Sequence, residues 1–177
     1  MKVLVITGSP HKNGTSACLA DRFIEGAKEA GHEVVRFDAA FKNVHPCIAC
    51  ERCHNTDKGC AFKDDMEALN PELAAADVIV FVSPIYYYTF SAQIKAVIDR
   101  FYANEAVLHK NKKAVILLTM AVDAEETADG TMRTFKSIAD WLEWEIAGSV
   151  LGIGCNTMED MQKTTYPEQA YELGKSL

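Results

Sequence analysis

The chain has 177 residues, 49% of them apolar and 24% charged, enough to bury a substantial core and unlike the composition of a disordered polymer. Its formal net charge of −7 opposes nucleic-acid backbones and anionic membrane surfaces. No apolar stretch approaches the roughly 18 residues of a membrane span, and the opening MKVLVITGSP is too short in apolar residues for a secretory leader. With four of six cysteines in one short stretch, a reducing, cytoplasmic setting is expected.

The elements alternate along the chain. Residues 2–7, KVLVIT, form a continuous β-branched run typical of a strand buried on both faces. A helix follows from Thr15 or Ser16, either of which can cap it, to about Ala30, stopping at Gly31. Strands are expected at 33–37, 77–83, 113–119 and 149–154, and helices at 91–102, 131–144 and 167–176. Asp64 followed by Glu67 reads as a further helix start ahead of Met66 and Leu69. Strands alternating with helices give an α/β doubly wound sheet: five parallel strands in the flavodoxin-like order 2-1-3-4-5, with helices on both faces. The whole chain, 1–177, is expected to be one domain, with a cysteine-rich loop at 46–62 inserted after the second strand.

Such sheets bind ligands beyond the carboxyl ends of their strands, where the strand order reverses. The loop after the first strand, GSPHKNGTS, offers turn-forming Gly8, Pro10 and Gly14 and the hydroxyls of Ser9, Thr15 and Ser16 beside a helix N-terminus, a natural phosphate cradle. Its alternative is an ordinary strand-to-helix turn, since the residue types are shared. It is neither a Walker A loop nor a G-x-G-x-x-G fingerprint. After the third strand, SPIYYYTF places Tyr86, Tyr87 and Tyr88 in a turn, where a planar ligand or a second copy of the chain would cover them.

The two loops together, GSPHKNGTS and SPIYYYTFSAQIKAVIDRF, resemble the NADPH-dependent FMN reductase family, with the cysteine stretch closest to its iron–sulfur flavoprotein branch. The resemblance implies FMN as cofactor and NAD(P)H as transient co-substrate. By it, Ser9, His11, Thr15 and Ser16, in a loop with Pro10, Asn13 and Gly14, match positions that hold the FMN phosphate. Pro84, Ile85, Tyr86, Tyr87 and Tyr88, with Thr89 next to them, match the loop along the isoalloxazine ring. The third flavin loop is usually glycine-rich but here reads TMAVDAEE, leaving Met120 and Ala121 as candidates for the pyrimidine edge. The implied activity is an FMN-dependent NAD(P)H oxidoreductase serving a flavin, quinone or other small acceptor, as a homodimer or tetramer. Flavin needs no acid–base pair from the protein, so no catalytic residue is assigned. Lys12 and Arg52 could meet the nicotinamide phosphates, and His11 and His54 are the histidines nearest the site.

Cys47, Cys50, Cys53 and Cys60 have the spacing Cys-x2-Cys-x2-Cys-x6-Cys. Three closely spaced thiolates suit a [4Fe–4S] cluster, with Cys60 folding back past Gly59. The iron–sulfur flavoproteins hold a cluster on such a motif, and the protein would then relay electrons from a ferredoxin-like donor. Zinc prefers two separated pairs, and a thioredoxin-like disulfide prefers a helix N-terminus. Reduced thiols in a loop beside the flavin are the remaining alternative. Asp99 and Arg100 read as solvent-side or interface charges, and Trp141 and Trp144 as core or interface packing.

Overall fold

The computed structural model describes residues 1–109 and 111–177. The apolar runs form β1 (Lys2–Thr7), β2 (Glu33–Asp38), β3 (Val78–Tyr86), β5 (Lys113–Thr119) and β6 (Glu145–Gly152), with a short β4 (Thr89–Phe90) between. The helices are α1 (Thr15–Glu29), α2 (Arg52–Asn55), α3 (Met66–Ala75), α4 (Ala92–Asp99), α5 (Glu105–Leu108), α6 (Asp129–Leu142), α7 (Met158–Gln162) and α8 (Tyr166–Lys175). The five long strands are parallel and lie in the order β2-β1-β3-β5-β6, the expected arrangement. β4 is an addition: it folds back antiparallel on the end of β3, pairing Ile85 with Phe90 and Tyr86 with Thr89.

Side chains alternate across the sheet and define two cores. Val3, Val5, Val80 and Val115 face α1 and α8, whereas Leu4, Ile6, Phe81 and Ile116 face α3, α4 and α6. The central strands are buried on both sides, which is why they carry almost no polar residue.

Three expectations are corrected. The last strand runs over 145–152 rather than 149–154, because α6 ends two residues earlier than expected, at Leu142. Glu143 then takes the left-handed conformation at φ 56° without glycine or asparagine to announce it. The helix from 91 is α-helical only to Asp99 and tightens into a 3-10 turn over Arg100–Asn104. Helix α1 is entered from Gly14 with no side chain capping it, so Thr15 and Ser16 are its first residues and not its caps.

Helices α1 and α8 touch backbone to backbone. A Cβ on Gly26 would lie 2.0 Å from the Tyr171 carbonyl oxygen, and one on Gly174 would lie 2.1 Å from that of Phe23. Reciprocal glycines let the two axes approach closely. Replacing Gly174 by alanine in an unobstructed helix would stabilise it by about 1 kcal/mol. Here the methyl forces the helices apart, and Gly174→Ala is expected to destabilise by about 2 kcal/mol and lower Tm by roughly 4–8 °C in a thermal melt.

Candidate functional site

The cleft opens where the strand order reverses, between the ends of β1 and β3. β1 ends at Thr7 and the chain turns through Gly8, whose N–H donates to the Val82 carbonyl at 2.9 Å. The Gly8 carbonyl accepts from the Ser91 hydroxyl at 3.0 Å, and the Ser91 N–H donates to Ser83 Oγ at 3.0 Å. A Cβ at Gly8 would lie 2.3 Å from Ser91 Oγ, so only glycine lets the two loops lie this close. Behind them, Ser16 and Thr119 share a buried 2.6 Å hydroxyl hydrogen bond that joins the start of α1 to the end of β5. The third loop is fixed to the end of β6: Met120 N–H donates to Gly152 O, and Cys155 N–H to Met120 O at 2.8 Å.

The result is a cavity of about 810 Å³. Ser9, Pro10, His11, Asn13, Gly14, Thr15 and Ser16 all line it, as do Pro84, Ile85 and Tyr86 of β3 and Met120 and Ala121 of the third loop. The first turn of α1 carries no acidic residue and no side-chain cap, so its free N–H groups and the positive helix end favour an anion. Ser9 is used locally, its Oγ accepting from the His11 N–H at 3.2 Å.

The structure does not bring Tyr87, Tyr88 and Thr89 to the cavity wall. Tyr86 is strand, and only Tyr87 and Tyr88 make the turn, with φ of 48° and 64°. That geometry suits the tight turn of a hairpin but is unfavourable for tyrosine. Tyr87 is 99% exposed. The hairpin rests on α6, where a Cβ on Gly130 would lie 2.5 Å from the Tyr88 carbonyl. The cavity also has walls that the motifs did not single out, from Thr119, Cys155, Asn156 and Met158. They follow β5 and β6, so the strand-end rule that pointed to the first and third strands extends to them. Burial, and then the Asp160 carboxylate, push the Cys155 thiol up, which keeps it neutral at pH 7. Lys12 lines the rim, its ammonium 5.0 Å from the Phe41 ring, whereas Arg52 and His54 belong to α2 in the cysteine loop.

Cys47, Cys50, Cys53 and Cys60 line one small separate pocket, with a cavity of about 20 Å³ between them and Phe62, Arg100 and Tyr102 around it. The loop reaches this shape through left-handed residues at Ala49, Glu51 and Gly59. Burial pushes the Cys53 thiol up, and charge on Cys60, Cys47 and Cys50 adds to the shift. Among the described residues no group of three or more His, Cys, Asp or Glu side chains stands ready-formed as a metal site.

Arg100 overturns its reading as a surface or interface charge: only 3% exposed, it pairs with the fully buried Asp64 side chain at 2.7 Å. Asp64 also accepts from the Met66 N–H, which supports the helix-start reading, and from the His45 N–H. Glu67 does not reach back to complete a capping box and pairs with Lys63 instead. Arg100 further donates to the His45 carbonyl at 2.9 Å, and Asp65 accepts from the Asn43 N–H at 2.7 Å. The ends of the cysteine loop are thereby clamped to the body of the protein. Asp99, by contrast, is a surface partner of Lys95. Trp144 is buried with its indole N–H on the Leu108 carbonyl, while Trp141 stands out at the surface.

A doubly wound sheet with an uncapped, acid-free helix start opening into a cleft at its switch point defines the flavodoxin-like class. Residues 1–154 match the family model described as NADPH-dependent FMN reductase, and the chain belongs to that family. Membership makes it an FMN-linked oxidoreductase. It is 32% identical over 146 residues to an iron-sulfur flavoprotein of Methanosarcina thermophila, covering 80% of this chain and 73% of that one. An iron-sulfur flavoprotein of Methanocaldococcus jannaschii is 35% identical over 115 residues, covering 65% of this chain and 56% of its own length. Among solved structures, the NAD(P)H:quinone oxidoreductase of Methanothermobacter marburgensis shares the fold at a TM-score of 0.72 and 20% identity, covering 99% of this chain and 96% of that one.

Burial pushes the Asp64 carboxyl up, but the Arg100 hydrogen bonds and the His45 and Met66 N–H groups outweigh it and hold the group below its ordinary value. A carboxyl lowered in the folded state contributes stability that is complete above about pH 4 and is lost as the pH falls through the lower, folded value. Asp64→Asn leaves Arg100 buried without its counter-charge and is expected to cost about 3–5 kcal/mol at pH 7. Denaturant melts at pH 7 and pH 3 are expected to show the deficit shrinking at the lower pH.

Proposed function

We propose that the chain draws electrons from NAD(P)H through FMN and passes them to a small acceptor such as a free flavin or a quinone. The observation that carries this reading is the uncapped, acid-free N-terminus of α1 opening into the 810 Å³ cleft at the switch point. FMN presents a phosphate and a flat ring, and the cleft offers groups suited to each. The first-turn amides, with Ser9, His11, Asn13, Thr15 and Ser16, are assigned to the phosphate. Pro84, Ile85 and Tyr86 on one side, with Met120 and Ala121 on the other, are assigned to the ring.

Bound FMN would supply the redox chemistry, taking electrons in pairs and releasing them singly or in pairs. The protein's part is to hold the cofactor, orient it and leave one face open. Cys155, neutral and buried, packs the cleft wall and is not assigned as a nucleophile. Lys12 at the rim is the cation assigned to the phosphates of the nicotinamide nucleotide. Tyr87 and Tyr88, exposed and away from the cleft of their own chain, are assigned to contact with a second copy, which supports a homodimer or tetramer.

A second reading is favoured by the four thiols lining one pocket: an electron carrier with a [4Fe–4S] cluster on Cys47, Cys50, Cys53 and Cys60, accepting electrons from a ferredoxin-like donor. The donor set fits such a cluster, and the named relatives are iron-sulfur flavoproteins. The 20 Å³ between the thiols is room for about one water, so a cluster would require the loop to open between its clamped ends.

Bleaching of the flavin bands by NADPH or NADH supports the oxidoreductase reading, and indifference to both nucleotides overturns it. Iron and labile sulfide assayed on anaerobically purified protein decide the second reading, with about four irons per chain expected if a cluster is held. Thr15→Asp separates binding from folding. An acidic first-turn residue favours the helix dipole but repels phosphate. The variant is expected to melt no lower than the parent and to bind FMN at least roughly tenfold more weakly, about 1.4 kcal/mol, by fluorescence titration.

A further inference from the structure

Arg100 and Lys112 are the buried cations among the described residues, and their hydrogen bonding differs. Lys112 donates to two backbone carbonyls, of Ala74 and Ala76, at 3.0 and 2.6 Å. Arg100 uses Nη1 on His45 O and Asp64 Oδ2 and Nη2 on Asp64 Oδ1, but its buried Nε has no partner among the described residues. A buried N–H without an acceptor is costly and uncommon. Arg100 also forms part of the wall of the pocket that the four cysteines line. A buried cation with an unused donor and the four cysteines thus line one and the same pocket.

We propose that Arg100 is a positioning residue for a sulfur-ligated iron centre on Cys47, Cys50, Cys53 and Cys60, with Nε–H donating to sulfur and the guanidinium offsetting thiolate charge. The proposal rests on the second reading above. Arg100 directly follows α4, and its partners His45 and Asp64 lie outside the 47–60 stretch, so the donor stays in place when that stretch opens. Hydrogen bonds and positive charge at cluster sulfur stabilise the reduced, more negative form and raise the reduction potential. A cation that merely packs, here with its guanidinium 5.4 Å from the Phe62 ring, would leave that potential unchanged.

The test compares the full chain with Arg100→Lys and with the double variant Asp64→Asn/Arg100→Gln, which removes both charges of the buried pair and leaves neither alone. Each is reconstituted anaerobically with ferrous iron and sulfide, assayed for iron and labile sulfide, and titrated potentiometrically with electron paramagnetic resonance. FMN retention and a thermal melt report folding separately. The double variant is expected to hold a cluster whose reduced form is disfavoured about tenfold, a downward shift of about 59 mV for a one-electron couple. Arg100→Lys keeps the charge but loses the planar N–H, and a smaller shift of about threefold in the same direction is expected. A folded double variant that loads no iron while the parent loads it also supports a positioning role. An unshifted potential in the loaded variants overturns the proposal and leaves the cluster reading standing. Failure of the parent to take up iron overturns the cluster reading and this proposal together. If the double variant does not keep FMN, Arg100→Lys alone decides, and a parental potential in it counts against Arg100.

Discussion

The architecture of the cleft depends on one missing side chain. At Gly8 the chain leaves β1, and its backbone is held from two directions, by the Val82 carbonyl and by the Ser91 hydroxyl. A methyl group there would collide with Ser91 Oγ. The distance between the first and second loops is thus set by the backbone bond to Val82 and by one serine hydroxyl, with no room for a side chain at Gly8 itself. The third loop joins through Ser16 and Thr119, and through the backbone bonds that hold Met120 to the end of β6. Loops on an open sheet are ordinarily its most mobile parts. These are fastened to one another, so the cavity walls are preorganised before any ligand arrives, and less ordering entropy opposes binding.

Much of this was legible in the sequence, for identifiable reasons. Strands buried on both faces announce themselves as unbroken apolar runs, and the carboxyl-end rule converts their order into a place for the site. The failures are equally specific. Arg100 looks like a surface charge because an arginine is ordinarily exposed unless it is paired, and its partner Asp64 lies 36 positions back in the chain. Periodicity says nothing about such a pairing. The end of α6 was misplaced because Glu143 takes a left-handed conformation normally left to glycine or asparagine. The sequence places Tyr86, Tyr87 and Tyr88 together in one turn, whereas Tyr86 ends β3 and only Tyr87 and Tyr88 turn the chain back into β4, away from the lining of the cleft.

The two candidate sites are mechanically continuous. Ser91, which fastens the loops of the cleft, immediately precedes α4, and Arg100, which clamps the cysteine loop, immediately follows it. Eight helical residues span about 12 Å. Ile94 and Val97 root that helix in the core. A buried ion pair contributes little net stability compared with a well-packed apolar substitute. Its value here lies in specificity of position: it gives the long irregular stretch after β2 a fixed root beside the end of α4.

The glycine crossing of α1 with α8 bears on how the protein is made. One whole face of the sheet, including Val3, Val5, Val80 and Val115, is covered by α1 together with α8, the last of the described helices. During synthesis that face stays partly uncovered until Tyr166–Lys175 has left the ribosome, however early β1 and α1 emerge. Until then the nascent chain carries an uncovered stripe of valines. Recognition by chaperones, and losses to aggregation when expression is fast, would be governed by that last helix more than by the cofactor cleft.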